Sequence, residues 1–442
     1  MQSKVSMVIP CYNKVNYISD MLDSVLAQKW DHIEIILVND GSNDGTREVI
    51  NKYEEKLKNR GFDVKIVDQE NQGVASAIKN GLQHVSGEFV CMPDCDDILD
   101  EEYVSAMVHA LKEYPNVNCV VCDVVGSGRV SWSATKYDSP EISLLSNDGH
   151  ILLKKFILAS FFQSACLMMM RVSLLNKLNM IDHFITNVRT TQEQQIWLPI
   201  LISEVAVLHL NKQLYTYVVR ENSIETSVTD IQKIYEYAED RYVLTQEILE
   251  KYIDSTDDFE FLCKLANIVK CHMIIARINL YGLEEYKTAG IKQFVEVVND
   301  SGLLPFMLTT NIVEDFGFKV ICPLVNYYLT DYTPGRILPY KRGAQSRLIA
   351  YGAGRVAKRV FPAFVKCNVV PDEVWDMKAC EGDRFFEIPL KQPNYDSLTK
   401  EDLIIIFLNN NKEVEYNLRK TEASVFYYQD ILYDLIIEHL VD

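Results

Sequence analysis

The 442-residue sequence predicts an α/β protein with a mainly parallel sheet in its N-terminal part, followed by a helical region and a second, smaller α/β domain. Three observations predict it. Between Val5 and Val124, short runs rich in β-branched residues alternate with helix-length segments, the rhythm of a parallel sheet covered by helices. From about Thr229 apolar residues recur instead at helical spacing over long stretches, and near residue 346 the β-rich pattern returns. A chain this long exceeds one ordinary core, and we divide it at residues 1–228, 229–340 and 341–442.

The first run, VSMVIP, ends in Cys11-Tyr12-Asn13, and the second, IEIILV, ends in Asn39-Asp40-Gly41-Ser42. VKIV follows. The fourth, EFVCM, runs into Pro93-Asp94-Cys95-Asp96-Asp97-Ile98-Leu99, and the fifth is VNCVVCDVV. Ligands on such sheets lie beyond the carboxyl ends of the strands, so the three polar clusters predict one site. The segments 231–252 and 259–281 predict long amphipathic helices without recognisable chemistry. The last part opens with a strand over 346–351, followed by Gly352-Ala353-Gly354. The next strand should end at Trp375, which leaves Asp376 where a Rossmann-like domain holds a ribose, and residues 403–408 give an all-apolar strand. Gly352, Gly354 and Asp376 are thus a candidate second nucleotide site. A dinucleotide fold needs two mononucleotide halves and this segment is short, so NAD(P) is not expected.

With 44 basic against 62 acidic side chains the formal charge is -18, which argues against general affinity for nucleic acid or anionic lipid. An anionic substrate needs a local device. The strand pattern begins at Val5 with no signal-peptide pattern before it, and no apolar stretch reaches membrane-spanning length, so a cytoplasmic location is expected. The 11 cysteines are then expected to be thiols. The CxxC at Cys119 and Cys122 lies in a strand pattern that turns the two side chains to opposite faces, as buried strand residues.

The pieces VSMVIPCYN, IILVNDGSNDGT, NQGVASAIKNGLQHVSGEFV and PDCDDIL, in this order and spacing, resemble the motifs of the family 2 glycosyltransferases, over roughly residues 5–227. The resemblance implies the GT-A fold and inverting transfer from a nucleotide sugar, often UDP-linked. It places Pro10, Tyr12 and Asn13 along the nucleotide and Asp40 on the N3 hydrogen of uracil. Within PDCDDIL it makes Asp96 a metal ligand and puts Asp94 at the metal or the ribose. Cys95 is the variable middle residue of that donor loop, and Asp97 a carboxylate behind the metal. Mn2+ or Mg2+ is the implied cofactor, because hard divalent ions take oxygen ligands and can bridge a diphosphate.

Aligned on Trp197, Glu193 in TQEQQIWL falls at the family's catalytic aspartate and would take the proton of the acceptor hydroxyl. Arg220, in YTYVVRENSI, resembles a basic residue near the diphosphate. Three departures stand out. The usual arginine after Gly-Val is missing, with Lys79 in the neighbouring donor-binding position; Asn39 replaces an aspartate; and the base is one methylene longer. The implied partners are a UDP-sugar and a glycan or lipid-linked acceptor, with no nucleic acid and with peripheral attachment to the inner membrane face as an option.

Plainer readings compete. PDCDDIL alone would suit an acidic loop capping a helix that begins near Glu101, and Asp40 an Asx turn. Glu193 could be a solvated first-turn residue. His183 could lie near the acceptor or simply at the surface, and Trp132 and Trp197 could stack on sugars or pack. Two other functions stay open: a nicotinamide-dependent sugar-modifying enzyme centred on the last domain, and a glycan-binding scaffold without catalysis.

Overall fold

The computed structural model describes residues 2–127, 142–145, 151–157, 164–186, 192–203, 205–218, 230–303, 347–354, 357–358, 361, 364–365, 370–407 and 412–427. Trp132, Arg220 and the end of the predicted strand at Leu408 lie outside the described residues. Two compact units result: residues 1–157 with 161–266, and residues 158–160 with 267–442.

In the first unit β1 (Val5–Cys11), β2 (Ile33–Asp40), β3 (Asp63–Gln69) and β4 (Phe89–Cys91) pair in parallel in the order β3-β2-β1-β4. All seven residues of β1 are buried, which explains its unbroken apolar sequence. The odd-numbered side chains Val5, Met7, Ile9, Ile33, Ile35 and Leu37 share a core with α1 (Ile18–Leu26) and α2 (Thr46–Asn59). On the opposite face α3 (Val74–Leu82) packs against Val8 and Val38 through Gly81. A Cβ at Gly81 would lie 2.4 Å from Val8 Cγ1. Gly81→Ala should therefore lower stability by about 1–3 kcal/mol, read as a lower urea midpoint with unchanged slope.

Beyond β4 the sheet becomes mixed. After β5 (Ile98–Leu99) and α4 (Tyr103–Glu113) come β6 (Cys119–Ser127), β7 (Ile142–Leu145), α5 (Ile151–Ile157) and β8 (Met168–Arg171). Then follow α6 (Val172–Lys177), α7 (Met180–His183), α8 (Gln192–Ile202) and β9 (Val207–Val218). β8 inserts antiparallel between β4 and β6, β9 runs parallel to β6, and β5 and β7 pair antiparallel with β9. Cys122 joins the core with Val120 and Val124, while Cys119 points the other way to the Ala206 carbonyl, so the CxxC is a buried strand. α9 (Ile231–Tyr252) is capped by Asp230, whose carboxylate accepts the Lys233 N–H. α10 (Thr256–Leu280) contains the division between the two units.

The second unit holds α11 (Glu284–Ser301) and a sheet of β10 (Leu348–Tyr351), β11 (Glu373–Trp375), β12 (Arg384–Phe385), β13 (Ile388–Lys391), β14 (Leu403–Ile406) and β15 (Ser424–Tyr427), with α12 (Lys412–Leu418). The strand order is β12-β13-β11-β10-β14-β15, parallel except between β12 and β13, so the direction of winding switches at β10. Buried Asp402 accepts from Arg347 Nε at 3.1 Å and Nη2 at 2.8 Å. The guanidinium pulls this carboxyl down to about 2. Because the folded value lies below the unfolded one, the pair stabilises above about pH 4 and is lost as pH falls toward 2. Asp402→Asn should cost about 1–2 kcal/mol at neutral pH, reduced by the exposure of Arg347, and clearly less near pH 2, measured by urea unfolding at both.

Candidate active site

Three loops meet at the carboxyl ends of β1, β2 and β4. The β1 and β2 loops are knitted together by hydrogen bonds. Asn13 N donates to Ser42 Oγ at 3.2 Å, Lys14 N to Thr46 Oγ1 at 2.7 Å, Val15 N to Asp44 Oδ2 at 3.1 Å, and Asn43 N to Asn13 Oδ1 at 2.9 Å. Asn13 is left-handed, with φ of 50°, which its short polar side chain tolerates. Gly41 is required twice over, since its φ is 69° and a Cβ there would lie 2.8 Å from Asn71 N. Pro10 is buried in β1 and Tyr12 is 43% exposed beside it.

Asp40 ends β2 and is 2% exposed. Its Oδ1 accepts from Gln69 Nε2 at 2.8 Å and Gln72 N at 2.9 Å, and its Oδ2 from Gly73 N at 3.0 Å. A carboxylate offers about four lone-pair positions, so these three bonds fix its orientation and leave Oδ2 able to accept one more. Asn39 has its own reason for being an amide: Nδ2 donates to Asp68 Oδ1 at 2.8 Å, and that carboxylate is paired with Arg47. An aspartate at 39 would face another carboxylate.

In the third loop the acidic residues separate by role. Asp96, 6% exposed, is paired with the Lys14 ammonium at 2.6 Å. Asp97, 1% exposed, accepts from Val218 N at 2.9 Å and from the Tyr215 hydroxyl at 2.8 Å, while that hydroxyl accepts Asp94 N at 3.1 Å. Burial pushes the Asp97 carboxyl up to about 6 against these two stabilising bonds. Asp94 is half-buried and brings a carboxylate oxygen within 4.8 Å of Asp97 and the Cys166 thiol. Cys166 is held well above the usual thiol range by burial and then by Asp94 and Asp97. Cys95 is raised by its contact with the Cys11 thiol and by burial, so it takes no part as a thiolate.

Of the three carboxylates Asp94 is the most exposed, while Asp96 and Asp97 are both buried. Asp97 already has both oxygens engaged. A cation, the Lys14 ammonium, lies on Asp96. These residues suit a hard oxygen-seeking ion.

Glu193 lies in the first turn of α8 and is half-buried, and Trp197 on the same helix is wholly buried with its ring 6.2 Å from Phe156, a packing role. Lys79 points its ammonium to the Phe184 carbonyl at 3.2 Å. His183 packs edge-on to Tyr252 at 5.0 Å. Sequence reading did not single out Lys14, which directly follows the recognised CYN, or Cys166, which precedes an apolar methionine run, and met Tyr215 only as part of YTYVVRENSI, with no role of its own.

In the second unit Gly352 follows β10 and Asp376 follows the neighbouring strand β11. Gly352 has φ of 105° and its N–H donates to the Trp375 carbonyl at 2.7 Å. Asp376 accepts from Ala353 N at 3.0 Å and Lys378 N at 2.9 Å.

A half-parallel, half-mixed sheet with an acidic loop and a carboxylate at its strand ends defines the GT-A class of nucleotide-sugar domain. Residues 6–178 match the model of Glycosyl transferase family 2, so this segment is a family 2 glycosyltransferase domain. Glycosyltransferase GlyA of Streptococcus pneumoniae is 35% identical over 111 residues, 25% of this chain and 15% of that protein. Poly-beta-1,6-N-acetyl-D-glucosamine synthase of Staphylococcus epidermidis is 37% identical over 117 residues, 26% of this chain and 27% of that protein. An uncharacterized glycosyltransferase of Rickettsia felis is 27% identical over 212 residues, 48% of this chain and 33% of that protein. The matched stretches thus span a third or less of these relatives. Residues 1–349 of S. aureus TarS, solved with UDP-GlcNAc, share the fold with a TM-score of 0.54 at 18% identity, covering 76% of this chain and 95% of that one. Among the described residues no helix is long and apolar enough to cross a membrane.

Proposed function

We propose that this protein is an inverting glycosyltransferase that moves a sugar from a UDP donor to a glycan or lipid-linked acceptor, with residues 1–228 as its catalytic part. The observation that carries the reading is Asp40, whose three internal hydrogen bonds leave one oxygen position suited to the N3–H of a uracil. Pro10, Tyr12 and Asn13 flank the nucleotide. Asp94 and Asp96 would hold Mn2+ or Mg2+, which when bound offsets the charge of the departing diphosphate. Asp97 and Tyr215 brace that loop from below.

Glu193 acts as general base. Its carboxylate takes the proton of the acceptor hydroxyl as that oxygen bonds to the anomeric carbon from the face opposite UDP. The anomeric carbon–oxygen bond to UDP breaks and its electron pair leaves with the diphosphate. One displacement inverts the centre. Arg220 would add positive charge near the diphosphate.

One similar protein is a poly-beta-1,6-N-acetyl-D-glucosamine synthase and another, TarS, was solved with UDP-GlcNAc, so UDP-GlcNAc is the first donor to try. Surface-polysaccharide synthesis at the inner face of the cell membrane is the setting we favour. The test is UDP release from a panel of UDP-sugars with Mn2+, Mg2+ or EDTA. Release that is fastest with one donor and stops in EDTA is expected; activity unchanged by EDTA would sink the metal, and no release from any donor would sink the reaction. In the C-terminal unit both Asp376 oxygens hold backbone N–H groups, as a brace of the glycine turn does, and we read that unit as a packing or regulatory module.

A further inference from the structure

Next to Glu193 lie two glutamines, Gln194 and Gln195, 4% and 3% exposed. Gln195 Oε1 accepts the Ile185 N–H at 2.6 Å and its Nε2 donates to the Ile185 carbonyl at 2.7 Å. One side chain thus satisfies both backbone groups of a residue ten positions earlier, as a neighbouring strand would. The preceding carbonyl, of Phe184, accepts the Lys79 ammonium at 3.2 Å. On the other side Gln194 Nε2 donates to Thr245 Oγ1 and, at 3.4 Å, to the Arg241 carbonyl of α9. The first turn of α8 is therefore fixed in rotation from two directions. Lys79 belongs to α3, and the residues leading into α3, Gln72 and Gly73, are those whose N–H groups hold Asp40.

We propose that Gln195 is a positioning residue for Glu193: with Lys79 it ties the helix that carries the base to the helix whose leading loop grips Asp40. The spacing between the nucleotide site and the base is then set by a continuous hydrogen-bonded path through Phe184 and Ile185. Packing alone would be served by leucine at 195. Glutamine is needed because the backbone it clamps is buried, and an unpaired N–H and C=O there would be costly. The proposal rests on the reading of Glu193 as base.

The test compares Gln195→Leu, Gln195→Glu, Lys79→Met, Glu193→Gln and the double variant Glu193→Gln/Gln195→Leu. Steady-state UDP release is measured with UDP-GlcNAc, or with the fastest donor of the panel, beside calorimetric UDP affinity and urea midpoints. Gln195→Leu should lower kcat by at least about tenfold while KM for the donor and the Kd of UDP stay within about twofold. Gln195→Glu, which keeps the acceptor for the Ile185 N–H but sets a carboxylate oxygen against the Ile185 carbonyl, should also lose activity, and Lys79→Met should fall in the same direction. In the Glu193→Gln background, Gln195→Leu should cost less than about a further twofold, because the positioned group is already gone. A kcat for Gln195→Leu within about twofold of wild type, or a loss that multiplies with that of Glu193→Gln, would overturn the proposal. If Gln195→Leu does not fold, Gln195→Glu decides by the same criteria. A failure of the base assignment is seen separately, as normal turnover by Glu193→Gln, and a failure of the reaction as a wild type inert towards every donor; either removes this proposal with it.

Discussion

Glu193→Gln should reduce UDP release about 10²- to 10⁴-fold, the usual contribution of a positioned general base, with UDP affinity changed by less than about twofold. The substitution keeps size and shape and removes only the ability to accept a proton. The proposed nucleotide site is built from other elements: Asp40 on β2 is fixed by Gln69, Gln72 and Gly73, and the proposed metal-side loop by Tyr215 and Val218. Loss of the base should therefore appear in kcat and not in UDP binding. Steady-state UDP release together with a calorimetric UDP titration reads both. A variant that turns over within about threefold of wild type would remove Glu193 from the role, whatever its effect on stability.

The sheet edge was legible because the parallel half of the domain writes its strands as unbroken apolar runs. All of β1 and nearly all of β2 are buried, so the sequences VSMVIP and IEIILV declare themselves, and their polar endings mark the site. The mixed half was not legible in the same way. β8 pairs antiparallel between β4 and β6 through a methionine-rich stretch, and nothing local distinguishes such a strand from buried helix. That insertion brings Cys166 beside Asp94 and Asp97 from some seventy residues away. Roles within the acidic loop depended on long-range partners too. Asp96 and Asp97 are adjacent in sequence and of the same residue type, yet one meets Lys14 from the β1 loop and the other meets β9. The glutamines after Glu193 read as ordinary helix residues until Ile185 and α9 are seen around them. In the second unit the glycine turn and Asp376 were legible together because both terminate neighbouring parallel strands, β10 and β11.

Asp96→Ala and Asp97→Asn should part company sharply, though the residues are neighbours. Asp96 is buried but its partner Lys14 is 29% exposed and can be solvated once the carboxylate is gone, so Asp96→Ala leaves no buried charge uncompensated and should lower stability by about 1 kcal/mol or less. Its effect should fall on the ion: loss of one of the two proposed carboxylate ligands should weaken Mn2+ binding in the presence of UDP by more than the roughly 10- to 100-fold seen when a supporting residue behind a metal is removed. Metal-stimulated UDP release should fall with it. Asp97 reverses the pattern. Its two oxygens accept from Val218 N and the Tyr215 hydroxyl in a wholly buried place, and an asparagine there must turn an NH2 group toward one of those donors. One buried hydrogen bond lost and one donor left unpaired should cost about 1–3 kcal/mol. The Mn2+ affinity of the folded variant should drop less than that of Asp96→Ala, since Asp97 acts on the loop through Tyr215 and the Asp94 N–H it holds. Calorimetric Mn2+ titration and urea unfolding of both variants separate the two roles. Equal loss of Mn2+ affinity with unchanged stability in Asp97→Asn would instead make Asp97 a ligand, and would shift the metal toward the group formed by Asp94, Asp97 and Cys166.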